Sequence, residues 1–427
     1  MAGKKARFTN NEEAAQQQKQ HQLKQQKKSD NNDVNNVNDS LNIVAGTYER
    51  LLYGFNFFFN KDKNTYDLKP MFMFPAHITC IKSLALSPPP DESIQRGGKW
   101  LVTGGTDESI KVWDMRRKVE VGSLTGTEGT PLTLSFINSS HLVIGTTHSM
   151  IYIFKAGDWS LLKSFKAHKG SVDGAAVHPH GGFAMSVGDD RMGQLWKLGK
   201  NRNEKRDNHV GRIAGTKLGI EGRKGNPESV KFSKSGDIIA ILFKKHLELR
   251  KSSGFELLPD LPSLPSSLTS KLHDMDFYKP STSNNSNFSE GCELLAVASE
   301  DKRVLIYEIN EQSPYKFIIE LVGHQNRVKS VRFGVVNSKL MCVSISSDGL
   351  VRVFDLSGYS KSNDVVKLEC VASYNTKGAR LTCLDVAKGG LNNIVDENSD
   401  DEQEQEQEQE QDEENEEQEL ENDQEEE

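Results

Sequence analysis

The stretch Val102-Thr103-Gly104-Gly105-Thr106-Asp107-Glu108-Ser109-Ile110-Lys111-Val112-Trp113-Asp114 holds a small hydroxyl residue inside an apolar run. An acidic turn follows, then an alternating run that closes on an aromatic residue. Two runs of period-two alternation separated by a polar turn predict a β-hairpin. The same sentence returns as Met185-Ser186-Val187-Gly188-Asp189-Asp190 ahead of Trp196, and as Val343-Ser344-Ile345-Ser346-Ser347-Asp348 ahead of Phe354. A repeated supersecondary unit cannot bury its apolar faces alone, so the copies must stack on one another.

Aligned on the closing aromatic, Phe55, Trp113, Phe154, Trp196, Arg250, Tyr307 and Phe354 follow one another at steps of 58, 41, 42, 54, 57 and 47 residues. The two shortest steps match the ~40–45-residue period of a four-stranded WD-repeat blade. The pattern therefore predicts an all-β, seven-bladed WD-repeat propeller. Ile43-Val44-Ala45-Gly46 and Arg50 to Phe55 read as the middle and outer strands of a blade with no innermost strand ahead of them. Arg380-Leu381-Thr382-Cys383-Leu384-Asp385-Val386, at the other end, is the candidate for that missing strand. Closure by strands from both termini would remove the open edge that otherwise templates aggregation. Loops are read at Pro88 to Gly98, Lys197 to Lys224, the Pro-rich surface segment Leu258 to Ser267 and the Ser/Asn-rich Ser281 to Gly291.

Three domains follow: an arm over 1–40, the propeller over 41–395 and an acidic tail over 396–427. The Lys/Gln/Asn-rich arm and the Glu/Gln tail lack the apolar area that offsets ordering entropy and are expected to be disordered. The net charge of −8 conceals a segregation, because residues 396–427 hold twenty acidic and no basic side chains. The stretch 41–395 alone carries about +10, which favours anionic partners. No apolar run approaches the ~18–20 residues needed to span a bilayer, and the first forty residues show no signal-peptide core. A soluble intracellular protein without a membrane partner is expected. The five cysteines, Cys80, Cys292, Cys342, Cys370 and Cys383, form no CxxC pair and read as small buried hydrophobes.

His77, Thr103, Asp107 and Trp113 fit the four positions of a buried hydrogen-bonded chain in a WD blade, as do His168, Ser186, Asp190 and Trp196. His324, Ser344 and Asp348 repeat it beside Phe354, which has no indole N–H, so that network reads as one member short. Such a chain rigidifies a blade when every member is satisfied. His, hydroxyl and Asp are also the ingredients of a hydrolase triad. The hydroxyl here sits within a strand rather than on a nucleophile elbow, and the set occurs three times, so the role is read as structural. The third blade has His148 at the turn-Asp position, and the sixth has Val297 at the hydroxyl position. The fifth, Ile239 to Arg250, keeps strand alternation only. His178-Pro179-His180-Gly181 reads as a turn, since two histidines without Cys or carboxylate at ligand spacing fall short of four-coordinate zinc. No phosphate-binding glycine loop occurs. No catalytic residue, metal, cofactor or small-molecule substrate is expected.

Basic clusters are the remaining candidates for partner or rRNA contact: Arg116, Arg117 and Lys118 after the first Trp-Asp; Lys166 and Lys169 around the fourth-blade His; Arg202, Arg206, Arg212, Arg223 and Lys224 between blades four and five; Arg327 and Lys329 after the seventh-blade His. Such side chains bind phosphate backbones without sequence preference and with steep salt dependence. Ser399, followed by Asp400, Asp401 and Glu402, suits an acidophilic kinase as a candidate phosphosite.

Lys166-Ala167-His168-Lys169-Gly170-Ser171-Val172 with Val177-His178-Pro179-His180-Gly181 resembles the fourth blade of one WD-repeat family. The opening Val44-Ala45-Gly46-Thr47-Tyr48-Glu49-Arg50-Leu51-Leu52-Tyr53-Gly54-Phe55, the closing Asn375-Thr376-Lys377 with Ala379 to Leu384, and Gly323-His324-Gln325-Asn326-Arg327-Val328-Lys329 are similar to its motifs too. It is the family of the animal p21-activated-kinase-interacting protein and the fungal maintenance-of-killer WD protein. The resemblance covers roughly residues 42–387. It implies a non-enzymatic assembly factor for the large (60S) ribosomal subunit, located in the nucleus and mainly the nucleolus. Its implied partners are pre-60S particle proteins and possible rRNA contacts. In animals it also implies negative regulation of a p21-activated kinase, so a signalling scaffold is the alternative. The Glu/Gln ending departs from the lysine-rich tails of animal relatives.

Overall fold

Seven antiparallel sheets arise from the repeat in a computed structural model, which describes residues 39–389 apart from 62, 90–97, 198–213, 220–224, 260, 262–269, 281–287, 290, 311–312 and 361–363. Within each sheet the strands follow one another outward as a simple meander, here lettered a to d from the centre. Strands a of neighbouring blades lie side by side around a central channel, for example Ile81–Leu86 against Pro131–Asn138 and Leu272–Tyr278 against Val328–Val336. The hydrophobic clusters lie between blades. One joins Ala296 and Ile306 of the sixth to Val331 and Phe354 of the seventh, and another joins Val343 and Val353 of the seventh to Ile43 and Phe55 of the first. Each blade thus buries its face on its neighbour, which is why the unit repeats.

The first blade is assembled from both ends of the propeller. Leu381–Lys388 pairs with Ser40–Thr47, with Ile43 opposite Val386 and Ala45 opposite Leu384. Ser40–Thr47 pairs in turn with Leu51–Asn60, and that strand with Thr65–Pro75. The seam is tight: a Cβ on Gly46 would lie 2.7 Å from both Cys383 Sγ and Ile81 Cγ2. Only a residue without a side chain lets the two ends of the chain and the second blade meet there.

Three regions differ from the sequence expectations. Ala214–Gly219, read within a loop, is instead strand d of the fourth blade, pairing with Met192–Lys197. Its alternation is too weak to register as a strand without the neighbouring sheet edge that recruits it. The fifth blade has three full strands, and the Leu258 N–H donates to Leu249 O at 2.8 Å in place of a fourth. Leu261, expected on the surface among the prolines, is buried in the core between blades five and six. The sixth blade gains a fifth strand, Val366–Leu368, which pairs parallel with Ser313–Leu321. The terminal arms 1–38 and 396–427, including Ser399, lie outside the described residues, and so do Arg202, Arg206, Arg212, Arg223 and Lys224.

Candidate functional site

In the second blade the Trp113 indole N–H donates to Thr103 Oγ1 at 2.9 Å, and the same hydroxyl lies 2.8 Å from His77 Nε2. His77 Nδ1 is 3.2 Å from Asp107, whose carboxylate also accepts from the Ile78 N–H and the Ser109 hydroxyl. The fourth blade repeats this with Trp196 to Ser186 at 2.9 Å, Ser186 to His168 Nε2 at 2.8 Å, and His168 Nδ1 to Asp190 at 2.9 Å. A carboxylate only accepts, so the imidazole proton sits on Nδ1, facing the Asp, and each hydroxyl accepts from the indole and donates to Nε2. Burial holds the His77 pKa below its ordinary value against the pull of Asp107. Thr103 and Ser186 are fully buried, with both hydrogen-bonding roles used inside the blade. Neither oxygen is placed to attack a substrate, so the triad ingredients serve packing.

The seventh blade departs from this pattern. Ser344 Oγ lies 3.1 Å from His324 Nε2, but Nδ1 meets Arg352 Nη1 at 3.0 Å instead of Asp348. Arg352, also buried, carries the link onward to Asp348 at 3.2 Å and to Ser346 Oγ at 3.1 Å. The expected direct His324–Asp348 contact is absent: Arg352 stands between the two on the Nδ1 side, and no indole donates to Ser344. The cause lies two residues before the Asp. Gly105 and Gly188 occupy that position in blades two and four, where a Cβ would come within 2.5 Å of His77 Nδ1 and 2.8 Å of His168 Cγ. Ser346 has that Cβ and holds the ring off. Because guanidinium only donates, Nδ1 is the acceptor and the imidazole proton sits on Nε2, the opposite tautomer. Burial, then the Arg352 charge, push the His324 pKa down to about 3.

Among the described residues, d-to-a connections and b-to-c turns lie at one end of the propeller, and a-to-b and c-to-d turns at the other. This sorts the basic candidates. Lys166, Lys169, Arg327 and Lys329 flank d-to-a connections, on the face that carries the three histidines. Arg116, Arg117 and Lys118 form a c-to-d turn on the opposite face, held by Asp114 accepting from the Arg116 N–H at 2.8 Å. They do not make one surface. The fold does unite Lys329 with Lys82, Lys271 and Arg380 at the channel mouth, residues the sequence reading passed over. Their signal was positional, since each stands within two residues of the start of a strand a.

The channel wall is charged. Lys231 of blade five pairs with Asp276 of blade six at 3.0 Å, and Asp276 accepts from the Phe333 N–H of blade seven. Arg332 of blade seven reaches Asp274 of blade six at 2.6 Å and Asp385 of blade one at 3.3 Å. Asp385 accepts in turn from the Leu86 N–H of blade two at 2.8 Å. A chain of charge-assisted bonds therefore runs through five blades and across the ring seam. Burial opposes the charge on Asp276, but Lys231 and Arg332 prevail and hold it at about 2. Asp385 moves the other way, raised by burial. The channel encloses about 860 Å³. Among the described residues no cluster of His, Cys, Asp or Glu could hold a metal ion, and no helix is long and apolar enough to cross a membrane.

The WD domain, G-beta repeat family matches residues 68–114, 159–197 and 315–355. These spans end one residue past the closing aromatics of blades two, four and seven, the three that carry the His networks. A chicken protein named p21-activated protein kinase-interacting protein 1-like is 30% identical over 348 residues, 81% of this chain and 80% of the relative. Shk1 kinase-binding protein 15 of Schizosaccharomyces pombe is 26% identical, covering 85% of this chain and 88% of its own length. Protein MAK11 of Saccharomyces cerevisiae is 23% identical, covering 80% and 82%.

Proposed function

The chain belongs to the family of WD-repeat p21-activated protein kinase-interacting proteins, and on that premise we propose that it is a non-enzymatic assembly factor for the large ribosomal subunit. It docks on pre-60S particles in the nucleus and nucleolus. A protein-interaction role is the property of the fold: a rigid ring whose loops vary while its core is constant. The reading is supported by the fourth-blade block Lys166 to Asp190 together with the opening Val44 to Phe55, both resembling motifs of the family that includes the fungal maintenance-of-killer WD protein. The +10 charge of residues 41–395 supports contact with rRNA in addition to particle proteins. Depletion should lower the ratio of large to small subunits, and the tagged protein should sediment with large-subunit precursors. Unchanged subunit ratios after depletion would overturn this.

A second reading, a scaffold that restrains a p21-activated kinase, is favoured by the names of the relatives, one an Shk1 kinase-binding protein and others p21-activated protein kinase-interacting proteins. Pull-down with an activated p21-type kinase separates the two. Kinase capture together with normal ribosome assembly after depletion would select the scaffold.

A further inference from the structure

A recess of about 670 Å³ opens on the histidine face where blades seven, one and two meet. Its charged lining is Lys82, Lys329 and Arg380, and its hydroxyls include those of Tyr48, Thr79 and Thr106. No carboxylate lines it. Among the described residues neither Lys82 nor Lys329 forms an ion pair, whereas the neighbouring Lys271 is paired with Glu228 at 2.7 Å and Arg327 with Glu300 at 3.8 Å. The Arg380 guanidinium lies over the Tyr48 ring at 5.4 Å. The adjacent Glu49 carboxylate is engaged by the Arg380 backbone N–H at 2.9 Å.

We propose that this recess binds a phosphoryl group carried on a serine or threonine side chain of a protein partner. Two unpaired ammonium groups and a guanidinium match the near-double negative charge and three terminal oxygens of such a group. Lys329 feels the crowding of cations: half-buried and facing Arg327, Lys271, Arg380 and Lys82, its ammonium is pushed down to about 8, burial contributing most. An anion would offset that repulsion and raise the value again. The channel below adds no net positive charge: apart from Lys82 and Lys329 at the rim, its wall sets Lys231, Lys234, Lys244, Lys271 and Arg332 against Asp173, Asp189, Glu228, Asp274, Asp276 and Asp385, so nothing draws a continuous phosphate strand inward. A single phosphoryl group needs only the cationic rim. The side-chain source of the phosphoryl group rests on the protein-docking role proposed above. The anion site itself does not.

The full-length chain is titrated by fluorescence anisotropy with degenerate nine-residue peptides bearing a central phosphoserine or phosphothreonine, with their unphosphorylated counterparts, and with a twelve-residue oligouridylate. The phosphorylated pools should bind at least tenfold more tightly than the unphosphorylated ones. K82Q/K329Q should weaken them tenfold or more, and R116Q/R117Q on the opposite face should not. Equal binding of both pools, phosphopeptide binding indifferent to K82Q/K329Q, or oligouridylate displacing the peptide through the same lysines would each overturn the proposal. A readout on the unaltered chain covers any loss of folding in the variants. At pH 8 the phosphothreonine pool should slow acylation of Lys82 and Lys329 at least fivefold by mass spectrometry, and unchanged rates would refute it. None of these readouts involves ribosomal particles. A chain that sediments with precursors but ignores phosphopeptides fails this inference alone, and the reverse result fails only the assembly role.

Discussion

Arg352 and Phe354 hold the seventh blade in a hydrogen-bond arrangement opposite in polarity to that of blades two and four, and a double-mutant cycle exposes it. Arg352→Gln introduces the residue that blade four carries at the same register, where Gln194 donates to the Ala167 carbonyl. The change removes guanidinium contacts to His324 at 3.0 Å, Ser346 at 3.1 Å and Asp348 at 3.2 Å. Breaking a buried pair by deleting one partner costs about 3–5 kcal/mol. Asp348 retains N–H donors from Leu350 at 2.9 Å and Gln325 at 3.2 Å, which places the expected loss near the lower end, about 3 kcal/mol. Phe354→Trp alone offers Ser344 an indole donor. Taking up the arrangement of blades two and four, in which the hydroxyl accepts from the indole and donates to Nε2, places the imidazole proton on Nδ1, where it meets the Arg352 N–H. In the Arg352→Gln background that conflict disappears. The two changes should therefore couple favourably by about 1–2 kcal/mol, one buried hydrogen bond regained. Any overpacking by the larger ring is common to both backgrounds and cancels. Urea unfolding followed by far-UV circular dichroism gives the four stabilities, and long-range nitrogen–proton correlation of His324 reads its tautomer. Coupling below about 0.5 kcal/mol, within the scatter of additive pairs, or a proton on Nδ1 in the unaltered protein, would refute the reasoning.

Acid should destabilise the propeller through the same residue. The folded pKa of His324 is about 3 against an unfolded value near 6.5, so below pH ~6.5 only the unfolded chain takes up this proton. Stability then falls by about 1.4 kcal/mol per pH unit toward pH ~3 and is unaffected above ~7. His324→Gln should flatten the urea midpoint between pH 6.5 and 4.5 by one proton's worth, and an unchanged slope would exclude it. Arg332→Met leaves Asp274 and Asp385 facing each other without their shared cation, and should lower stability by about 3–5 kcal/mol, measured by the same unfolding. Gly46→Ala forces a methyl against Cys383 and Ile81 at the ring seam and should cost about 1–3 kcal/mol. An unchanged melting temperature would show that the seam yields. Burial raises Cys292 and Cys383 to about 12 and holds Cys342 well above the ordinary thiol value, so all three thiols should resist a neutral-pH disulfide reagent until the chain is unfolded.

The architecture was legible because it rests on local signals that repeat. Alternation, the acidic turn and the closing aromatic are each readable within a dozen residues, and their spacing locates the blades, the fifth by alternation alone. The composite first blade was legible for a negative reason: Ile43 to Phe55 lacked an inner strand, and Leu381 to Val386 lacked a blade. What escaped notice depends on neighbours distant in sequence. Ala214–Gly219 becomes a strand only because Met192–Lys197 offers it an edge. Lys82, Lys329 and Arg380 converge only when the ring closes. The seventh-blade arrangement lies between these cases. Ser346 in place of a glycine was visible in the chain, but its effect on the His324 ring requires the distance that a Cβ would create. Arg352 reads as an ordinary strand-face cation until its partners are placed.

The seam in the first blade also constrains how the protein is made. Asn42 donates to the Gly389 carbonyl across 347 residues of chain, and strand Ser40–Thr47 has no inner neighbour until Leu381–Lys388 arrives. At ~5–20 residues per second of synthesis, that strand emerges tens of seconds before its partner exists. Throughout this interval Ile43, Val44 and Ala45 stand on an unpaired edge of high β-propensity, the sort of edge that recruits other chains. The nascent propeller is therefore an open arc that only its last strand completes, and its period of greatest vulnerability is set by translation rather than by the stability of the finished ring.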